Sequence, residues 1–183
     1  MKAPDSTTEI SQLRLIEPNV ERDAALGVAW LNGELGRTTL QSMGNGREAI
    51  AAMLPATIAQ EQARVRDFLE RDDQLNWMIE HEGHVVGAVW ADLAPKDGLP
   101  APSVHIMIGE PNARGKGLGT ATIRRLLEYL EQQGNETVYS RHLTTNQPAG
   151  RLLKSLGFTE LGKPYQRDSL EFQNLVRKSR QQD

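Results

Sequence analysis

The stretch Ser103 to Thr120, SVHIMIGEPNARGKGLGT, decides how this chain is read. A short apolar strand passes through a turn at Glu110-Pro111-Asn112 into Arg114-Gly115-Lys116-Gly117-Leu118-Gly119-Thr120, and a helix follows at once. A helix start leaves its first N–H groups without partners inside the helix, and the aligned peptide dipoles add partial positive charge there. An anion can therefore be held by backbone alone. Gly115, Gly117 and Gly119 carry no Cβ to keep an anion away from those amides, and Arg114 and Lys116 add charge beside them. The ligand chemistry that fits is a pyrophosphate. Beyond the turn, Ile123, Leu126, Leu127 and Leu130 recur at helical spacing, with Arg124, Arg125, Glu128 and Glu131 elsewhere and Gly134 as a stop.

Two other glycine loops compete with this reading. A dinucleotide fingerprint needs G-x-G-x-x-G and an acid at the end of the next strand. Counted from Gly115, the third glycine position is Thr120, and the next strand carries Ser140, Arg141 and His142. A P-loop needs G-x-x-x-x-G-K-[ST], and no such string occurs. A glycine turn without a ligand is the plain alternative; strand, turn, basic pair and helix together argue against it.

With 183 residues the chain suits one domain, residues 1–183, with residues 1–10 read as a polar, frayed tail. Lys plus Arg is 21 against 24 for Asp plus Glu, a net charge of −3, and no basic cluster recurs, so a general nucleic-acid binder is not expected. No cysteine is present, which excludes disulfides, thiolate metal sites and a cysteine nucleophile. His81 and His84 flank Glu82-Gly83, which reads as a hairpin turn in preference to a metal pair. The N-terminus lacks the apolar core of a signal peptide, and no run of about eighteen apolar residues occurs, so a cytoplasmic protein with no membrane partner is expected.

Along the chain, Leu13 to Ile16 reads as a strand and Glu21 to Asn32 as a helix stopped at Gly33. The segment GELGRTTLQSMGNG, residues 33–46, reads as a mobile loop of the kind that binds substrates. Arg47 to Glu70 reads as a helix broken at Pro55. Leu75 to His81 and His84 to Leu93 form an antiparallel hairpin, and APKDGLPAP a loop. Thr137 to Leu143 is the next strand, Asn146 to Leu156 a helix, and Phe158 to Gln166 and Ser169 to Val176 two last strands.

The pattern Arg114-x-x-Gly117-x-Gly119 between strand and helix resembles acyl-CoA motif A of the GNAT superfamily of N-acetyltransferases. NQPAGRLLKSLGF, residues 146–158, resembles the family's motif B, a helix opened by Asn and ended by Gly-Phe. Leu153 in that helix, the opening LRLIEPNVERDAAL and the run Trp30-Leu31-Asn32 look most like the branch that acetylates ribosomal-protein N-termini. The resemblance implies an α/β (α+β) fold: a mixed, mostly antiparallel sheet of six to seven strands with helices on both faces.

It also implies acetyl-CoA as co-substrate, with no metal, and a primary amine of a small molecule or protein N-terminus as acceptor. The strands before and after the cradle would part to admit the pantetheine, with the backbone at Met107, Ile108 and Gly109 along it. Arg114, Gly115, Lys116, Gly117, Leu118, Gly119 and Thr120 would hold the pyrophosphate. Asn146 would approach from the other side, and it suits a helix N-cap equally well. A backbone N–H near Met107 or Ile108 would stabilise the oxyanion. His105 is the first candidate base, because an imidazole with an unperturbed pKa near 6.5 suits proton relay; Glu110, Glu80 or water are rivals, and a packed histidine is the structural alternative.

Many relatives carry a tyrosine where this chain has Leu153, and the ribosomal branch carries a serine where it has Ala149. Neither side-chain acid is present, so a non-catalytic acyl-CoA sensor is the competing function; a nicotinamide-dependent oxidoreductase rests on the glycine loop alone. Trp30, Trp77 and Trp90 read as core before pocket. Glu34, Asp168 and Glu171 are surface acids that could also attract a cationic amine. Exchange or edge pairing of the last strand would allow a homodimer.

Overall fold

The computed structural model describes residues 12–179; the tail expected over residues 1–10 lies outside them. Seven strands form one sheet in the order β1-β2-β3-β4-β5-β7-β6, where β1 is Leu13–Ile16, β2 Gln74–His81, β3 His84–Asp92, β4 Ser103–Ile108, β5 Thr137–Leu143, β6 Thr159–Arg167 and β7 Leu170–Lys178. Every neighbouring pair is antiparallel except β4 with β5. His81 pairs with His84 across the Glu82-Gly83 turn, as the sequence predicts.

The helices are α1 (Val20–Leu31), α2 (Gly33–Ser42), α3 (Arg47–Ala52), α4 (Ile58–Glu70), α5 (Leu118–Gln132) and α6 (Gln147–Ser155). The larger core lies between the sheet and α5 and α6. There Leu118, Ile123, Leu126, Leu127 and Leu130 of α5 and Leu153 of α6 meet Ile79, Val89, Val104, Val138 and Leu175 of the strands. These apolar positions recur at helical spacing on α5, which is why the sequence alone locates that face. On the opposite face Trp30 and Leu26 of α1 pack with Met78, Val85, Ala88 and Met107.

Alternation along the strands sorts the side chains. Gln74, Trp90, His105, Arg141 and Phe172 share the face covered by α1 and α2, and Val89, Val104, Ile106 and Val138 face α5.

The loop expected over residues 33–46 is a correction: its first ten residues form α2. Its glycines serve close packing as well as turning. A Cβ on Gly36 would stand 2.1 Å from the backbone carbonyl of Leu31, and one on Gly44 2.8 Å from the Phe172 ring. Gly33, expected as a stop, is the corner at which the chain turns from one helix directly into another. The break expected at Pro55 occurs: α3 and α4 are separate, and Asn32 clamps the connection by exchanging hydrogen bonds with the backbone of Ala56 at 2.7 and 2.9 Å. A capping box at Thr57 and Gln60 restarts the helix.

Candidate active site

Strands β4 and β5 join at a single register pair, Ser103 with Tyr139, and then part. The Ser140 hydroxyl donates to the Val104 carbonyl at 2.8 Å, closing the ladder where it ends. On the other side β4 stays paired with β3 through Ile108. Pairing groups alternate along a strand, so the N–H and C=O of Ile106 and Ile108 point into the gap and those of Met107 point to β3. The Gly109 and Glu110 amides both donate to Val86 O, at 2.9 and 3.0 Å. Of the three backbone positions expected beside the cofactor arm, only Ile108 therefore turns its amide to the opening.

At the open end stands the start of α5. Gly117 caps the helix at φ 78°, a left-handed conformation that costs other residues about 1–2 kcal/mol, and Gly115 has φ 73°. No side chain caps the helix and its first turn holds no acid. Ala121 donates to Gly117 O, so the amides of Leu118, Gly119 and Thr120 are the ones a helix start leaves open. Gly119 also admits α6, since a Cβ there would approach Leu152 Cδ1 at 2.8 Å. Lys116 is exposed beside this concavity.

Arg114 and Asn146, the residues expected on the cofactor, both hold α2. Arg114 Nε donates to Ile108 O at 3.0 Å and Nη2 to Thr39 Oγ1 at 3.2 Å. Asn146 caps α6 through Ala149 N at 3.3 Å and donates from Nδ2 to Ser42 O at 3.3 Å. Helix α2 thus crosses the mouth of the parted strands, tied on one bank by the arginine and on the other by the asparagine. No sequence signal announces this, because the partners are 75 and 104 residues away.

His105 lies on the α1–α2 face, stacked on Trp90 with centroids 5.4 Å apart. Its Nε2 stands 3.1 Å from Asp92 Oδ2 and 3.2 Å from Ser103 Oγ, and Gln74 Nε2 donates to the other Asp92 oxygen. With the proton on Nε2, facing the carboxylate, Nδ1 keeps its lone pair. Burial pushes the Asp92 carboxyl upward, but hydrogen bonds from His105 and Gln74 and the charges of His105 and Lys96 outweigh it, and its pKa lies below the ordinary carboxylate value. Asp92 and Gln74 were not singled out by the sequence: the contact joins residues on three strands.

The rival base Glu110 is engaged elsewhere, accepting from Trp30 Nε1 at 2.7 Å, and Glu80 pairs with Arg14 at 3.3 Å. Of the tryptophans, Trp30 is core, Trp77 packs edge-on to Tyr129 of α5, and Trp90 alone joins the site. Glu171 alternates with Phe172 and so lies on the α5 face of β7; Asp168 sits in the β6–β7 turn, and Glu34 is exposed at the start of α2.

A mixed sheet parted beside a helix start with open amides is the class of fold and site this chain presents. Residues 43–158, well over half of the chain, match the acetyltransferase (GNAT) family, and the chain belongs to that family. It is 32% identical over 83 residues to a mycothiol acetyltransferase of Thermomonospora curvata, covering 45% of this chain and 27% of that protein. The chain spans well under half of the first curated relatives it matches, 27% and 42% of their lengths. Among solved structures it resembles the Microcin C7 self immunity acetyltransferase MccE in complex with acetyl-CoA and AMP, with TM-score 0.73, 17% identity, and 92% and 93% of the two chains covered. It also resembles AAC(6')-Ib in complex with parmomycin and acetyl-CoA, with TM-score 0.67, 21% identity, and 91% and 92% covered. These likenesses establish the fold. Among the described residues no helix is long and apolar enough to cross a membrane.

Proposed function

We propose that the protein is an acetyl-CoA-dependent N-acetyltransferase whose acceptor, a primary amine, attacks the thioester directly in a ternary complex. The observation that carries this is the parting of β4 from β5 beside the open amides at the start of α5. The pyrophosphate sits on the amides of Leu118 to Thr120, with Lys116 supplying charge. The pantetheine lies along the Ile106 and Ile108 edge of β4 and completes the ladder that β5 abandons. This places the thioester carbonyl near the last strand pair, beside His105.

The amine loses a proton to His105 Nδ1 as it attacks, and Asp92 holds the ring through Nε2. The Ile106 amide, which faces the gap next to His105, is the backbone donor for the oxyanion. Leu153 is buried and Ala149 carries no acid, so solvent protonates the leaving thiolate. Proximity in the ternary complex supplies much of the rate. The likeness of the opening residues and Leu153 to the ribosomal-protein branch keeps a protein N-terminus among the acceptors, beside small amines.

Calorimetry with acetyl-CoA should give saturable binding, abolished by Lys116→Glu with Gly117→Glu. Unchanged affinity in that double variant removes the basis of the proposal. With an accepted amine, release of CoA thiol should fall at least about 100-fold in His105→Ala, the usual scale of general-base catalysis.

A further inference from the structure

We propose that the acceptor amine carries a carboxylate or phosphate, received by Arg141 and Arg167. This rests on the transferase reading and names the class of its second substrate.

Arg141 lies two residues beyond the last β4–β5 pair, as His105 does on the facing strand, and both side chains project on the same face of the sheet. A compact molecule whose amine reaches His105 therefore extends across the gap onto Arg141. The Arg141 guanidinium stands over the Phe172 ring at 5.9 Å and that of Arg167, from β6, at 5.0 Å. Phe172 is buried, stacked on Tyr165 and covered by Gly44, two residues beyond α2. Stacking on a fixed ring holds two planar, five-donor groups in place before a ligand arrives.

These two cations share one anion. Arg141 Nη2 and Arg167 Nη1 both reach Asp97 Oδ2, at 3.3 and 3.7 Å, and Arg141 Nη1 donates to the Asp97 carbonyl at 3.2 Å. No other acceptor contacts either guanidinium among the described residues. Both carboxylate distances exceed the 2.7–2.9 Å typical of charge-assisted bonds, so donors are left to spare on both arginines. The Arg141 side chain is only 14% exposed and that of Asp97 51% exposed. A largely desolvated guanidinium with a loosely held counter-ion is a site that a second anion improves. Asp97 itself projects from a tight turn, closed by reciprocal Lys96 and Leu99 bonds at 3.0 and 2.9 Å, with Leu99 buried beneath it. It holds the arginines as an internal stand-in for the ligand's anion. A peptide N-terminus has a neutral amide next to its amine, so the arginine pair favours small amino-acid-like or phosphorylated amines.

The test compares amines matched except for charge: each amino acid with its α-amide, and O-phosphoethanolamine with ethanolamine, followed by CoA thiol release. The charged member of at least one pair should show kcat/KM about tenfold higher or more, the factor of one charge-assisted contact. Arg141→Gln with Arg167→Gln should erase that preference by raising KM for the charged amine, and leave the neutral one within about twofold. Equal turnover of charged and neutral members, or an equal loss on both, overturns the proposal. Should the glutamine pair fail to fold, Arg141→Lys with Arg167→Lys keeps the charge, loses the planar fork, and should retain part of the preference.

A second arm needs no turnover. Inorganic phosphate and N-acetylglycine should raise the melting temperature of the wild type by mass action, not that of the double variant, and should raise Asp97→Asn more, since its competitor is gone. No rise in the wild type, or the same rise in the arginine variant, refutes the anion site. Acetyl-CoA binding, measured separately, judges the transferase reading: its absence would sink that reading while the anion arm still decides this one.

Discussion

Gly109 stands at the end of β4, where the chain leaves the sheet for the cradle, and the face of Trp30 lies directly on its backbone. A Cβ there would fall 2.1, 2.4 and 2.6 Å from three ring carbons, far inside van der Waals contact. Gly109→Ala must therefore move an indole that is 2% exposed and anchored to Glu110 through a 2.7 Å hydrogen bond. Overpacking of this kind costs about 1–3 kcal/mol. Losing the charge-assisted bond adds about 1.5–3 kcal/mol. The sum, about 2.5–6 kcal/mol, lowers the melting temperature by roughly 5 to 24 °C at about 2–4 °C per kcal/mol for a chain of this size. Thermal and urea unfolding followed by circular dichroism measure it. In a Trp30→Ala background the same alanine should cost under about 1 kcal/mol, because nothing remains to displace. A Gly109→Ala protein melting within about 2 °C of the wild type, or an equal cost in both backgrounds, would refute the contact.

Asp92→Asn gives a pH-dependent loss: a carboxyl depressed in the folded state stabilises above its unfolded pKa of about 3.9, and that contribution disappears as pH falls through the lower folded value. The gap between wild type and variant, read from denaturant melts, should therefore be full at neutral pH and close below about pH 4. Asn146→Ala removes a helix cap worth about 0.5–2 kcal/mol and one of the two ties on α2, so protease cleavage within residues 33–46 should quicken more than the melting temperature alone explains. Gly36→Val drives a side chain into the Leu31 backbone and should cost at least about 1–3 kcal/mol by the same melts, where a mobile loop would tolerate it.

Periodicity and turn chemistry made most of the fold legible. The α5 stripe, the hairpin at Glu82-Gly83 and the break at Pro55 are local features, and each stands where the residues place it. Residues 33–46 misled because glycine has two uses, freedom and closeness, and composition cannot tell them apart. The contact of Gly36 with Leu31 and that of Gly44 with Phe172 belong to the second use. The start of α5 and its left-handed glycines were readable because both are encoded within seven residues, Arg114 to Thr120.

What the sequence determined by itself was most of the elements, α2 excepted, and the glycine turn that opens α5, since both follow from interactions between residues a few positions apart. The tertiary structure alone decided which amide of β4 faces the gap, that α2 spans the parted strands, and that Asp92 holds His105 while Arg141 and Arg167 gather on Phe172. These depend on strand order and register, which join residues far apart in the chain and leave no local trace.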